Sequence, residues 1–219
     1  MTELRWTLVV PLRALPSAKS RLAETMPVDG PGAHAELVAA IRADTLRAVR
    51  ACPAVAHVLI VADEPMAVPD ADIVIIQHTA GLNGALRDAE AEARSRWPDD
   101  GVATLVGDLP GLRPDDLADA LRTAAGHARA FVPDFSGTGT TLLAARPGTA
   151  LEPHYGLGSA AAHGRVAVAL DAAAGLRHDI DTFDDLRGAR ADDDVVLGPA
   201  TDGIVARLGV DAGSPPRSP

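Results

Sequence analysis

Short, nearly uninterrupted apolar runs alternate with helical patterns along this chain, and that rhythm limits the fold more than any other feature. Thr7–Leu12, Val58–Ala62, Ile73–Ile76, Thr104–Val106 and Ala130–Val132 read as strands. Runs without polar alternation suit parallel strands covered on both faces. Between them, Ala33–Ala51 sets Leu37, Ile41, Thr45 and Ala48 on one helical stripe. Ala85–Trp97 is rich in Ala, Glu and Arg, and Asp115–Ala125 follows Pro114, a good residue for a helix start. The order predicts an α/β chain with a Rossmann-like, doubly wound, mostly parallel sheet. Thr140–Ala145 reads as a further strand, antiparallel to the one before it. Ser159–Ala173 is expected as a helix, Arg177–Ile180 as a strand, and Thr182–Ala191 as a helix with Thr182 as N-cap. Residues 1–210 are expected to form one domain and 211–219, rich in Pro and Ser, a disordered tail.

Open α/β sheets bind ligands beyond the carboxyl ends of their strands. Charge singles out the first such place. The chain carries a formal net charge of −10, which disfavours nucleic acid and anionic membrane as partners. Residues 1–50 nonetheless hold seven basic and five acidic side chains, a net of +2 against −12 for the remainder. Arg13, Lys19 and Arg21 crowd into the loop after the first strand, and Lys19 is the sole lysine among 20 basic residues. A cationic loop at a strand end suits a polyphosphate. The sole cysteine, Cys52, rules out an internal disulfide and a cysteine-built metal site. No apolar stretch is long enough to span a bilayer and no signal-peptide pattern opens the chain, so a cytoplasmic protein is expected.

Carboxylates define the second place. Asp108, in Gly107–Asp108–Leu109–Pro110, follows a buried strand and offers hard oxygen to Mg²⁺. Asp179 and Asp181, two residues apart in an extended segment, point the same way. Such like charges are costly unless a cation lies between them. The ordinary alternatives are a helix-capping role for Asp181 and a surface position for Asp179. Ser136–Gly137–Thr138–Gly139–Thr140–Thr141 offers close backbone approach and hydroxyls. Tyr155–Gly156–Leu157–Gly158–Ser159 runs into a helix start that suits an anion. Asn83 either caps the following helix or contacts a nucleotide. No Ser/His/Asp or Cys/His spacing indicates a covalent nucleophile. A phosphomonoester acceptor requires none, being already an anion near neutral pH.

Six blocks, "VPLRALPSAKSRLA", "GLNGAL", "LVGDLPGL", "FVPDFSGTGTTLL", "YGLGSAAAH" and "DIDTFDDL", occur in order between residues 10 and 186. Together they resemble the 2-phospho-L-lactate or phosphoenolpyruvate guanylyltransferases of deazaflavin coenzyme F-420 biosynthesis. The resemblance implies a nucleotidyltransferase fold of the nucleotide-diphospho-sugar transferase type, similar to molybdopterin guanylyltransferase. It implies GTP as co-substrate, a small phosphorylated acid as acceptor, Mg²⁺ as cofactor, and a downstream transferase that takes up an unstable product. By motif, the metal-holding aspartates fall on Asp108, Asp179 and Asp181, and the acid-binding residues on Thr140, Gly156 and Ser159. Lys19 falls on the loop lysine near the phosphates. Relatives often carry Phe, then Gly-Pro, where this chain has Tyr155, then Gly156–Leu157. The competing readings are another acceptor on the same fold (3-phosphoglycerate, a pterin or a sugar phosphate), a glycosyltransferase, and a non-catalytic nucleotide-binding domain.

Overall fold

The computed structural model describes residues 3–13, 19–26, 32–69 and 71–208. The expected tail at 211–219 and positions 14–18 of the cationic loop lie outside the described residues. In chain order the elements are β1 (Trp6–Leu12), α1 (Ser20–Thr25), α2 (Ala33–Ala51), β2 (Val55–Ala62), β3 (Ile73–Ile76), α3 (Leu82–Arg96) and β4 (Gly101–Leu105). They continue with α4 (Pro114–Ala124), β5 (Arg129–Pro133), β6 (Thr140–Ala145), α5 (Ser159–His163), β7 (Val168–Ala169), α6 (Ala174–Arg177), α7 (Phe183–Ala191) and α8 (Pro199–Arg207).

All seven strands join one sheet in the order β3-β2-β1-β4-β6-β5-β7. β6 alone runs against its neighbours, pairing antiparallel with both β4 and β5, while the other pairings are parallel. The expected mostly parallel sheet and the β5–β6 hairpin are thus present. On one face α2 and α4 cover the sheet with Leu46, Val49, Leu117 and Leu121. On the other, α3 lays Ala85, Leu86, Ala89 and Ala93 on Val9, Leu59, Val61 and Val102. The small alanines of α3 let helix and sheet approach closely, which suits a chain with only 3% aromatic residues. A further layer, absent from the sequence reading, sits outside α2: Leu22 of α1, Phe183 and Leu186 of α7, and Ile204 and Val205 of α8 pack on Leu37, Val38 and Ile41.

The winding reverses between β1 and β4. β1 stays in register with β2 as far as Leu12, but with β4 only as far as Val9. β4 meanwhile follows β6 through Leu105. The two central strands therefore part at their carboxyl ends. Gly107 lies in this parting, where an added Cβ would meet Leu12 Cδ2 at 2.6 Å. Lack of a side chain is what lets the chain after β4 stay so close to β1.

Two expected elements differ. The helix beginning at Ser159 stops at His163 rather than running to Ala173. Past Gly164, the continuously apolar Val166–Leu170 stretch is strand-like, and Val168 and Ala169 add an edge strand parallel to β5. The expected strand Arg177–Ile180 is instead the last residue of α6 and an irregular extended segment. Its backbone bonds go to turns rather than to a ladder: Ile180 N–H donates to the Asp108 carbonyl (3.1 Å) and Phe135 N–H to the Arg177 carbonyl (2.8 Å). Thr182 caps α7 as expected, in a reciprocal capping box with Asp185.

Asp44 anchors α8 to α2. Its carboxylate is almost wholly buried, pairs with Arg47, and accepts from Ala200 N–H (3.2 Å) and Thr201 N–H (2.7 Å). These are donors of the first turn of a helix that has no side-chain cap of its own. Asp44→Ala leaves them without an acceptor and is expected to cost about 1–3 kcal/mol in urea unfolding, with Asp44→Asn retaining part of that stability.

Candidate active site

The parted ends of β1 and β4 form the floor of an open cleft of about 660 Å³. Arg13, Lys19 and Arg21 line it from the loop after β1 and from α1, Gly107 and Asp108 from the turn after β4, and Asp181 from the segment before α7. These residues come from three separate stretches of sequence, and the fold brings them to one surface.

Asp108 is aimed by its backbone. The turn that carries it is pinned on one side by Leu109 N–H, which donates to Thr45 Oγ1 of α2 (3.0 Å). On the other side its own carbonyl accepts from Ile180 N–H. That second bond brings Asp179 and Asp181 alongside. Ile180 is fully buried against the α2 and α7 cluster, so its two neighbours turn outward together. The expected alternation therefore holds, although no strand supports it. Carboxylate oxygens of Asp108, Asp179 and Asp181 all lie within 4.8 Å of one another.

Lys19 faces this cluster. It sits at the N-cap of α1 in the left-handed region (φ 57°, ψ 48°), which a residue with a Cβ seldom adopts. The conformation is held from several sides. Leu22 is buried under α2 and α7, the Lys19 carbonyl accepts from His34 Nε2 (3.0 Å), and Thr25 Oγ1 accepts from Phe183 N–H (2.9 Å). The ammonium so delivered pairs with Asp108 and, at 2.5 Å, with Asp181. Burial alone would lower the pKa of Lys19, but Asp108 and Asp181 overcome it and hold the amine charged well above its ordinary range.

One ammonium does not balance three carboxylates. Burial, then the charges of Asp108 and Asp181, push Asp179 up to about 7. Asp108 Oδ1 is buried without a hydrogen-bond partner among the described residues. A clustered set of hard oxygens, one of them with unused lone pairs, fits a divalent cation. Asp108, Asp179 and Asp181 are the residues that would hold it.

The remaining predicted residues lie beside the cleft rather than in its lining. Thr140 is buried, and its hydroxyl meets His163 Nδ1 at 2.8 Å. His163 Nε2 accepts from His154 N–H (2.9 Å), so the ring carries its proton on Nδ1 and donates to Thr140. Burial, aided by His154, pushes this imidazole down to about 4 and keeps it neutral. Ser159 is buried, and the next residue, Ala160, donates its N–H to the Thr138 carbonyl (3.1 Å). Gly156 and Gly158, with φ of 139° and 72°, turn the segment between them. His163 thus ties Thr140 to the 154–159 segment, a task the sequence reading did not assign to it.

Asn83 has a different setting from the one expected. α3 already begins at Leu82, with Gly81 as N-cap. Both ends of the Asn83 carboxamide hold the backbone of Tyr155, donating to its carbonyl (2.9 Å) and accepting from its N–H (2.7 Å). With its amide used in this way, Asn83 straps the 154–159 segment to α3. Two cleft residues escaped the sequence reading, Asp63 and Gln77, each the first residue past β2 or β3. The rule that pointed to Asp108 would have found them had it been applied to every strand.

A raised Asp179 has a calculable sign. Its folded-state pKa lies above the unfolded value, so it contributes stability at low pH that is lost as pH rises through about 7. Metal-free protein is therefore expected to lose stability from pH 6 to pH 8, and Asp179→Asn to lose less over the same interval. A divalent cation should raise the unfolding midpoint more at pH 8 than at pH 6, because at pH 6 it must displace a proton. Thermal melts with chelator or Mn²⁺ at the two pH values check both statements.

The family pattern described as "Guanylyl transferase CofC like" matches residues 6–186. A phosphoenolpyruvate guanylyltransferase from Streptomyces coelicolor is 43% identical over 94% of this chain and 98% of its own length. One from Streptomyces avermitilis is 45% identical over 94% and 96%. Among solved structures, a candidate nucleotide-diphospho-sugar transferase from Desulfovibrio desulfuricans G20 superposes with a TM-score of 0.67 at 17% identity, covering 95% of this chain and 99% of its own. A Mycobacterium tuberculosis H37Rv protein, Rv0371c, in complex with manganese does so with a TM-score of 0.53 at 19% identity, covering 85% and 98%. These distant structures share the fold.

Proposed function

The chain belongs to the CofC-like guanylyl transferase family, and on that premise we propose that it joins the GMP unit of GTP to phosphoenolpyruvate with release of pyrophosphate, a Mg²⁺-dependent step of coenzyme F-420 biosynthesis. The observation that carries the reading is the meeting of Asp108, Asp179 and Asp181 with Lys19, in a cleft at the point where the winding of the sheet reverses. A non-catalytic nucleotide binder needs fewer carboxylates than these three. Phosphoenolpyruvate is preferred over 2-phospho-L-lactate because it is the acceptor named for the relatives at 43% and 45% identity. Use of GTP fits a cytoplasmic setting.

The nucleotide lies along the cleft. Its base is directed to Asp63, Gln77 and Leu82, at the ends of β2 and β3 and the start of α3, and its phosphates to Arg13, Lys19 and Arg21. Mg²⁺ held by the three aspartates supplies charge neutralisation to the reacting phosphates. The acceptor phosphate is its own nucleophile, since its second pKa is about 6 and no proton has to be removed near neutral pH. The residues therefore act by position and charge. Lys19, fixed by its strained backbone and two carboxylates, presents a charge that need not reorganise as negative charge moves to the departing oxygen. The acid is assigned to the side of the cleft that Thr140, Gly156 and Ser159 border, with His163 and Asn83 fixing the segments that carry them.

Purified protein with GTP and Mg²⁺ is expected to release pyrophosphate with phosphoenolpyruvate, and the same assay run with 2-phospho-L-lactate and 3-phosphoglycerate tests the choice of acid. No release with any of the three above an acceptor-free control rejects the proposal. Asp108→Ala is expected to abolish turnover while keeping the fold. Lys19→Ala should lower kcat about 10²–10³-fold, the usual loss for one preorganised electrostatic stabiliser.

A further inference from the structure

One face of α2 looks onto the active-site turn. Val38, Ile41, Arg42 and Thr45 follow the i, i+3, i+4, i+7 spacing of a single helical stripe, and Thr45 is the residue that pins the turn after β4. Three members of the stripe have evident packing or pinning roles, and the guanidinium of Arg42 has neither. It projects into a recess of about 130 Å³ that opens off the main cleft, shared with Arg13, Lys19, Gly107 and Asp108. Among the described residues no carboxylate lies within ion-pair distance of it, although Asp108 and Asp63 are near enough to favour its charge against the burial that opposes it. A half-buried cation with no ion-pair partner among the described residues is expensive to maintain unless a ligand completes it.

We infer that Arg42 is an anion-binding residue of the reaction, taking the β- and γ-phosphates of GTP and then the pyrophosphate that leaves. This rests on the guanylyltransferase reading of the cleft. The recess is far smaller than the roughly 300 Å³ of a pocket for a drug-sized molecule, so it admits a small group and not a nucleoside. Arg13, Lys19 and Arg42 border it against one carboxylate, Asp108, so its lining stays net positive and suits an anionic group. A planar guanidinium also matches two oxygens of a phosphate at once, which an ammonium does not.

The test compares wild type, Arg42→Met and Arg42→Lys in Mg²⁺ buffer, with inorganic pyrophosphate, GTP and GMP as calorimetric ligands and steady-state kinetics in parallel. Arg42→Met is expected to weaken pyrophosphate and GTP by about tenfold or more and to lower kcat/KM for GTP at least as much. GMP affinity and the KM for phosphoenolpyruvate should be unchanged, and Arg42→Lys should recover part of the loss. Unchanged pyrophosphate affinity in Arg42→Met overturns the assignment, as does an equal loss for GMP or a rise confined to the KM of the acid. Should Arg42→Met fail to fold, Arg42→Lys decides alone, because loss of the bidentate fork must still weaken pyrophosphate relative to GMP. If wild type itself binds neither GTP nor pyrophosphate, the nucleotide reading of the cleft fails first, an outcome distinct from failure of Arg42.

Discussion

Three carboxylates held within reach of one ion repel each other, and much of the architecture around them keeps that arrangement in place. A single backbone bond, from Ile180 N–H to the Asp108 carbonyl, joins segments more than 70 positions apart in sequence. Ile180, buried between its charged neighbours, then fixes the direction of both. Lys19 offsets part of the repulsion and Asp179 offsets more by holding a proton up to about pH 7. A site that is least comfortable when empty of cations and fully ionised gains most from binding one.

The supporting layer outside α2 follows from the same need. α1, α7 and α8 add little to the sheet, yet they carry or brace the residues that face the cleft. α1 delivers Lys19 in a left-handed conformation that a free loop would not hold, and Phe183 at the start of α7 is bonded to Thr25 at its end. The capping box of Thr182 and Asp185 starts α7 two residues after Asp181, which limits where that carboxylate can go. Asp44 ties α8 to the helix that pins Asp108. Packing that looks peripheral therefore acts on the geometry of the reacting groups.

Around Thr140 and the 154–159 segment, the pattern is one of neutral hydrogen bonds rather than charge. His163 is neutral and bridges Thr140 to the backbone of His154, and Asn83 clamps Tyr155 with both ends of its carboxamide. A buried neutral network sets position without adding charge. It contrasts with the cationic lining that Arg13, Lys19 and Arg21 give the cleft.

The order of apolar runs and helical stripes was enough to give the sheet, its hairpin and the strand ends where chemistry belongs, because burial on both faces writes continuous hydrophobicity into the sequence. It also marked Lys19, Asp108, Asp179 and Asp181 through scarcity and spacing. The helix expected over Ser159–Ala173 and the strand over Arg177–Ile180 were misread because a glycine and single long-range backbone bonds, not local preference, decide those segments. How closely Asp108 approaches Asp179 and Asp181, which loop Asn83 holds, and that Arg42 opens into a recess off the cleft were left to the tertiary structure. Those facts depend on where distant strand ends are brought together by packing, and no local pattern of residues encodes that distance.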